Sequence, residues 1–403
     1  MKKIAIWHRY GPADHVQCGG HCIPAVVIEL SKHAEVHYFG MKTDNPVPKQ
    51  IVHHAVIHTL PFYFRRSSMR SKVIKTLIWY LAMPWMGLYC RIHKFNAVFI
   101  DETIPLTAPI VRLFFGPNLA MTIMDFFLDI YFEKARILKP LCVLLKKIDV
   151  AAWRKLPVIF TKVDHTHEYL AELGVAKSRI HTVYNPCDTN IFFPSDKNAM
   201  RKHFGFTEKD VVLVHHGILH PNKGNDKIIS AIAELHEKFP QLRFLLIGDG
   251  AEMQNLKTLI ANLNLQDIVV MPGWLPTEAD LNKALGCADI GLVMRIGQFT
   301  DNFHLTETLS HEMACGLPII AANLKGIAEV IKDGENGYLF DPKDMNEFKT
   351  KLSKLINSLN QRNLFGKQSI NLCKEYCSLE RATQSTLAPL LKLINADQTS
   401  THQ

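Results

Sequence analysis

Two residues in the second half of the chain have side chains that suit an anionic ligand and its hydroxyl groups. Lys223 follows an apolar run at 211–215 and precedes Gly224 and an amphipathic pattern, which places it on a strand–helix loop. A lysine there is a compact positive charge that can stabilise a leaving diphosphate. Glu312 lies about two turns into a predicted helix, Thr306–Cys315, where its carboxylate can accept hydrogen bonds from hydroxyl groups.

The predicted helix that carries Glu312 is part of a parallel strand–helix–strand unit. Ala288–Met294 and Pro318–Ala322 are short apolar runs, which predict buried strands on either side of it. Thr306 suits the N-cap position of this helix. The loop before it, Arg295–Leu305, leads into a helix N-terminus whose free N–H groups favour an anion.

Longer segments carry a resemblance to a known family. Residues 311–318 read HEMACGLP, and this motif resembles that of the retaining, nucleotide-sugar-dependent glycosyltransferases of family 4, which have the GT-B fold. Asn185–Pro194 is similar to the family's interdomain segment, residues 217–224 to its phosphate loop, and Gly248–Gly250 to a further glycine motif. The resemblance covers nearly the whole chain, and it is specific in residues 180–342.

The resemblance also implies roles for individual residues. Glu312 would hold the ribose of a nucleotide-sugar, Lys223 would contact the diphosphate, and the loop before the helix would wrap it. A glycine-rich loop near the donor phosphates and the acceptor corresponds to the Gly19–Gly20 pair. The expected donor-binding residues are Gly19, Gly20, Gly217, Lys223, Gly248, Leu305, Thr306 and Glu312.

Three positions depart from the family pattern. His304 stands at the ungapped position of the family's first acid, and Met124 stands where a histidine often touches the reacting sugar. Ile218 stands where many members have arginine, so one phosphate contact is missing or is supplied elsewhere. We expect His304 to act with Lys223 and Glu312 in catalysis, as a hydrogen-bond donor whose protonation matters near neutral pH.

The length and the strand–helix alternation predict two α/β domains. At 403 residues the chain is too long for one typical core. The expected architecture is a pair of Rossmann-like domains facing each other across a cleft, as in GT-B proteins. Residues 1–190 would form an acceptor-binding domain, completed by a C-terminal crossover helix at about 379–395, and residues 191–378 would bind the nucleotide-sugar.

Charge is distributed unevenly along the chain. Residues 1–190 hold 24 Lys and Arg against 14 Asp and Glu, and residues 51–100 hold seven basic residues and no acid. Arg65, Arg66, Arg70 and Lys72 precede an uncharged, aromatic-rich segment, Thr76–Cys90. This pattern suits a helix lying in an anionic membrane interface. Two alternatives are a core helix that covers the sheet and a basic surface for a soluble anionic acceptor.

The cysteine content and the N-terminus predict a location. Nine scattered cysteines suit free thiols in a reducing compartment, and the apolar run at 4–7 is too short for a signal peptide. We therefore expect a cytoplasmic protein, peripheral on the inner face of the membrane. We expect no nucleic-acid partner and no cofactor, and with no Asp-x-Asp motif we expect no metal.

These features predict a hexosyltransferase-type enzyme of polysaccharide or glycolipid biosynthesis. It would move a sugar from a nucleoside-diphosphate-sugar to a glycan or lipid-linked acceptor, with retention. Two alternatives stay open. One is an epimerase or a phosphorylase of the same architecture, although no motif supports a pyridoxal phosphate. The other is a degenerate, non-catalytic binder, which His304 and Met124 would favour.

Overall fold

A computed structural model divides the chain into two compact units. Unit 1 comprises Met1–Tyr184 and Leu379–Gln403, and unit 2 comprises Asn185–Ser378. The predicted boundary at residue 190 lies a little beyond the observed one. The structure describes residues 1–12, 22–42, 46–63, 69–124, 126, 128–129, 139–198 and 200–396. For residues 61–63 and 69–72 it describes the backbone only.

Unit 1 is built on a parallel sheet whose central strands are buried apolar runs. Its seven described strands run in the order β3-β2-β1-β4-β5-β6-β7. The strands are β1 Lys3–Trp7, β2 Glu35–Lys42, β3 Val56–Tyr63, β4 Ala97–Ile100, β5 Leu119–Thr122, β6 Val158–Thr161 and β7 Ile180–Thr182. All residues of β4, β5 and β6 are buried, as expected for strands with helices on both faces.

Helices connect these strands. They are α1 Ile23–Ser31, α2 Lys49–His54, α3 Met69–Ile92, α4 Thr107–Phe114, α5 Lys139–Trp153 and α6 Asp164–Glu172. The strand order reverses between β1 and β4, which lie side by side in the centre of the sheet. In such sheets the reversal opens a crevice beyond the carboxyl ends of the two strands.

Unit 2 repeats this architecture. Its six described strands run in the order β10-β9-β8-β11-β12-β13, all parallel, and the order reverses between β8 and β11. The strands are β8 Val211–His216, β9 Leu242–Ile247, β10 Val269–Gly273, β11 Ile290–Val293, β12 Ile319–Ala322 and β13 Gly337–Phe340. The helices are α7 Asn225–Lys238, α8 Met253–Asn262, α9 Glu278–Gly286, α10 Glu307–Ala314, α11 Lys325–Ala328, α12 Met345–Asn357 and α13 Leu359–Cys377.

The last helix, α14 Leu379–Asn395, belongs to unit 1 rather than to unit 2. It packs against α1 and against β4, β6 and β7. Its residues Leu387, Leu390 and Leu393 are part of the core of the first sheet. The chain therefore returns to the first unit at its C-terminus, and each unit has a hydrophobic core of its own.

Candidate functional site

The candidate site lies beyond the carboxyl ends of β8 and β11, where the strand order of unit 2 reverses. Gly217 follows β8 with a φ of 129°, and Gly248 follows β9 with a φ of 135°. A Cβ atom on Gly248 would collide with the carbonyl oxygen of Gly217. Position 248 thus needs glycine because the two strand ends meet backbone to backbone, and position 217 favours glycine because of its positive φ.

Lys223 lies on the loop that leaves β8. It ends a short 3₁₀ turn, Pro221–Lys223, directly before Gly224 and α7. Burial lowers the pKa of Lys223 to about 7, and Arg295 lowers it further while Asp301 and Glu312 oppose the shift. The ammonium ion is therefore poorly solvated here, and an anion placed beside it would favour its charged form.

Glu312 lies on α10 and has no exposed surface. A Cβ atom on Gly291 of β11 would come within 2.5 Å of Glu312 Oε2, so this glycine makes room for the carboxylate. Among the described residues, neither oxygen of Glu312 has a hydrogen-bond partner. Burial raises the pKa of Glu312 well above its usual value, although Lys223 opposes this. Such an unsatisfied buried carboxyl group is costly unless a ligand supplies donors.

Further buried polar atoms at this end of the sheet also lack partners within the described part of the chain. They are His215 Nε2, His216 Nε2, both amide atoms of Asn225, Arg295 Nε and Thr306 Oγ1. Native proteins leave few buried polar atoms unsatisfied, so this concentration at one strand-order reversal indicates a ligand site.

Leu305 and Thr306 bring the chain to the N-terminus of α10. The Leu305 side chain is buried, and its carbonyl oxygen accepts a hydrogen bond from Asn185 Nδ2 at 2.6 Å. Thr306 is the N-cap residue, but its hydroxyl group makes no capping hydrogen bond. Thr308 Oγ1 donates to the carbonyl oxygen of His216 at 2.8 Å, which holds the start of α10 against the end of β8.

His304 lies near Arg295 and Lys223, but its protonation state differs from the one expected. Burial lowers the pKa of His304 to about 3, with Arg295 and then Lys223 as further causes. The imidazole is therefore neutral near pH 7 in this state, and the prediction that its protonation matters near neutral pH is wrong for it. A neutral ring can still donate one hydrogen bond and accept another.

Arg295 was not predicted from the sequence, yet it lies within this cluster. Arg295 Nη1 donates to Asp301 Oδ1 at 3.0 Å, in a pair whose two side chains are almost fully buried. The next residue, Ile296, donates its backbone N–H to the carbonyl oxygen of Asn222 at 3.0 Å. The available signal was a basic residue placed directly after a buried strand.

Other predicted positions are less informative. Gly19 and Gly20 lie outside the described residues. The backbone N–H of Met124 donates to Thr103 Oγ1 at 2.9 Å, which ties the end of β5 to the loop after β4. Within the described ranges no group of three His, Cys, Asp or Glu side chains is arranged to hold a metal ion.

Comparison with known proteins identifies the part of the chain that holds this site. Residues 196–372 match the sequence model of the family described as "Glycosyl transferases group 1". This part of the chain therefore has the sequence features of a group 1 glycosyltransferase domain. It contains the β8 loop with Lys223 and the helix with Glu312, and the resemblance expected from residues 311–318 is thereby confirmed.

Curated relatives match the chain over about half of their own length. N-acetyl-alpha-D-glucosaminyl L-malate synthase of Bacillus anthracis is 31% identical over 182 residues, 45% of this chain and 44% of the relative. The D-inositol 3-phosphate glycosyltransferase of Kribbella flavida is 26% identical over 236 residues, 56% of this chain and 54% of the relative.

Solved structures match over nearly the whole chain. HepE of Anabaena, in complex with UDP, aligns with a TM-score of 0.72 at 17% identity, covering 97% of this chain and 100% of HepE. Sucrose-phosphate synthase of Thermosynechococcus elongatus aligns with a TM-score of 0.75 at 17% identity, covering 98% and 100%. Two α/β units of the GT-B type are therefore confirmed as the fold.

Proposed function

We propose that the protein is a glycosyltransferase that moves a sugar from a nucleoside-diphosphate-sugar to a glycan or lipid-linked acceptor. The observation that carries the proposal is the buried, unpartnered carboxylate of Glu312 beside Lys223 at the strand-order reversal. Relatives of the group 1 domain bear glycosyltransferase names, and HepE has been solved with UDP-glucose, which supports a donor of this class.

In this proposal, Glu312 accepts hydrogen bonds from the ribose hydroxyls of the donor. The bond between the anomeric carbon and the diphosphate breaks while the acceptor oxygen bonds to that carbon, and the proton of the acceptor hydroxyl group passes to the departing diphosphate. Negative charge then grows on the leaving diphosphate. Lys223 and the free N–H groups at the start of α10 would stabilise that charge, so the proposal assigns its neutralisation to protein groups rather than to a metal ion or cofactor.

Retention of anomeric configuration is part of the proposal and rests on the family resemblance. His304 would then face the donor as a neutral hydrogen-bonding group in place of an acid, because burial, and after it the neighbouring cations, lowers the pKa of its ring. Such a ring offers weaker stabilisation to a positively charged sugar than a carboxylate does. Turnover would therefore be slow, or the donor sugar would differ from those of members with the acid.

A panel of nucleotide-sugars tests the proposal, with free nucleotide and glycosylated acceptor as separate readouts, with and without EDTA. We expect both products from one donor, and a loss of both in Glu312→Gln but not in Glu278→Gln, an exposed control. Recovery of an epimerised donor without transfer would indicate an epimerase. Binding without turnover would indicate a degenerate member.

A surface of unit 1 suggests where the acceptor is presented. One face of α3 is buried in unit 1 through Trp79, Met83, Met86 and Cys90. Along the opposite face, Leu81, Trp85 and Ile92 are 73%, 74% and 72% exposed, and Val73, Ile74 and Leu77 are exposed as well. By length and composition Val73–Ile92 could cross a membrane, but a third of it is buried in the protein.

Neighbouring helices extend this apolar surface. α4 packs against α3 and against α5, and it exposes Leu113. On α5 the exposed apolar side chains are Leu141, Leu144 and Ile148. In the described parts of 69–155 the exposed charges at the ends and edges of these helices are basic, among them Arg91, Lys94, Lys139 and Lys147. The acids there are buried, except Asp129, which is paired with Lys146.

These features favour a peripheral membrane enzyme, and we propose that this surface, α3–α4–α5, docks on the anionic cytoplasmic leaflet. Basic residues beside exposed Leu and Trp side chains are the combination that binds such an interface. The acceptor would then be a lipid-linked or membrane-presented glycan of polysaccharide or glycolipid biosynthesis.

Co-sedimentation with liposomes tests the docking surface. Binding should require anionic lipid, fall with salt, and be lost in the double variant Leu81→Glu and Trp85→Glu. Leu364→Glu is the matched control, because Leu364 is similarly exposed on α13 of unit 2. An absence of binding by the wild type at low salt would end the membrane proposal and leave the donor site unaffected.

A further inference from the structure

Arg295 is held in one position by three structural features. It directly follows β11 and Met294, the buried residue after that strand. The backbone hydrogen bond from Ile296 to Asn222 fixes this segment beside the turn that carries Lys223. Asp301, which is 1% exposed, accepts from Arg295 Nη1 through Oδ1 and from the N–H of Gln298 through Oδ2. The guanidinium group is therefore oriented before any ligand binds.

The charges of the cluster formed by Lys223, Arg295, Asp301 and Glu312 do not balance. Asp301 is the acid that pairs with Arg295, and within the described residues Lys223 has no ion pair. Glu312, the other acid near Lys223, is held towards its neutral form by burial. Arg295 is close enough to Lys223 to disfavour its charged form, and after burial it is the next cause of the lowered pKa of Lys223. A doubly charged anion would remove that conflict.

Arg295 also retains capacity for a ligand. Its Nε atom is buried and has no partner among the described residues, although Nη1 is engaged by Asp301. A guanidinium group binds phosphate through adjacent N–H groups in a fixed planar arrangement. We propose that Arg295 binds the diphosphate of the donor together with Lys223. This inference rests on the proposed function, since it names a further donor-binding residue of the same site.

Binding measurements with three ligands of one nucleoside isolate this contact. The probe is whichever of UDP, GDP, ADP or TDP binds the wild type most tightly, compared with its monophosphate and its free nucleoside. In Arg295→Met we expect the diphosphate to bind about 10- to 100-fold more weakly, the loss of one charge-assisted contact. The free nucleoside should bind as it does to the wild type.

Two further variants make the result decisive. Arg243→Met removes another arginine that pairs with an acid in unit 2, at Asp210, and it should leave diphosphate binding unchanged. Arg295→Lys keeps a charge and should recover only part of the affinity, because it lacks the planar fork. If the wild type binds a diphosphate and Arg295→Met binds it equally well, the role of Arg295 is refuted and the proposed function stands. If the wild type binds none, the proposed function itself fails.

Discussion

Replacing Lys223 by methionine should abolish a proton uptake that accompanies donor binding. The pKa of Lys223 is about 7 in the free protein, so at pH 8 only about one molecule in ten carries the charged amine. A bound diphosphate favours the charged form, and binding at pH 8 should therefore take up nearly one proton. Above pH 7 the affinity should fall with rising pH, with a slope that approaches tenfold, or about 1.4 kcal/mol, per pH unit. The fall should end at the pKa that Lys223 has in the complex.

Calorimetry in buffers of different ionisation enthalpy measures this proton uptake directly. Lys223→Met should bind more weakly and lose the uptake, whereas Lys227→Met, an exposed neighbour on α7, should keep it. The same change should stabilise the free protein. Folding lowers the pKa of Lys223 from 10.5 to about 7, so the buried amine opposes folding at every pH below 10.5. At pH 7 this cost reaches about 4 kcal/mol. An unchanged uptake in Lys223→Met would refute the reasoning.

Three more variants test the buried carboxyl groups by equilibrium unfolding and donor titration. Glu312→Gln should weaken donor binding yet raise the free energy of unfolding at neutral pH. The reason is that above pH 4.5 the carboxyl group ionises in the unfolded chain while burial opposes its ionisation in the folded protein, and this difference disfavours folding. Gly291→Ala should displace the Glu312 side chain and cost about 1–3 kcal/mol of stability, and less in a Glu312→Ala background. Burial raises the pKa of Asp149 from 3.8 to about 7, so the contribution of this group to wild-type stability should fall by about 3 kcal/mol from pH 4 to pH 7, a loss that Asp149→Asn should not show. A flat pH profile in the wild type would contradict the last prediction.

Much of the candidate site could be predicted from the sequence, because it depends on local signals. The apolar runs that became β8, β11 and β12 are bounded by glycines and polar loops, and the helix predicted over Thr306–Cys315 is observed as α10 Glu307–Ala314. These apolar runs are short and fully buried, so their length and the absence of a helical period identify them as strands. Lys223 and Glu312 then follow from their positions relative to the strand ends.

Other features depend on contacts that no local pattern encodes. β3 has no clear strand pattern in the sequence, because it is an edge strand of mixed burial that contains Pro61. Arg295 gains its place from the hydrogen bond between Ile296 and Asn222, which joins residues far apart in sequence. The neutral state of His304 comes from burial beside two cations. For α3 the sequence left two alternatives, a core helix and an interfacial helix, and the structure shows one buried and one exposed apolar face.

The most direct test of the central claim is a crystal structure of the protein with its tightest-binding nucleoside diphosphate. We predict ribose hydroxyl groups within hydrogen-bond distance of Glu312, and a diphosphate that contacts Lys223 at the N-terminal turn of α10. A nucleotide bound at the carboxyl ends of β1 and β4 in unit 1, with the Glu312 carboxylate still unpartnered, would contradict the account.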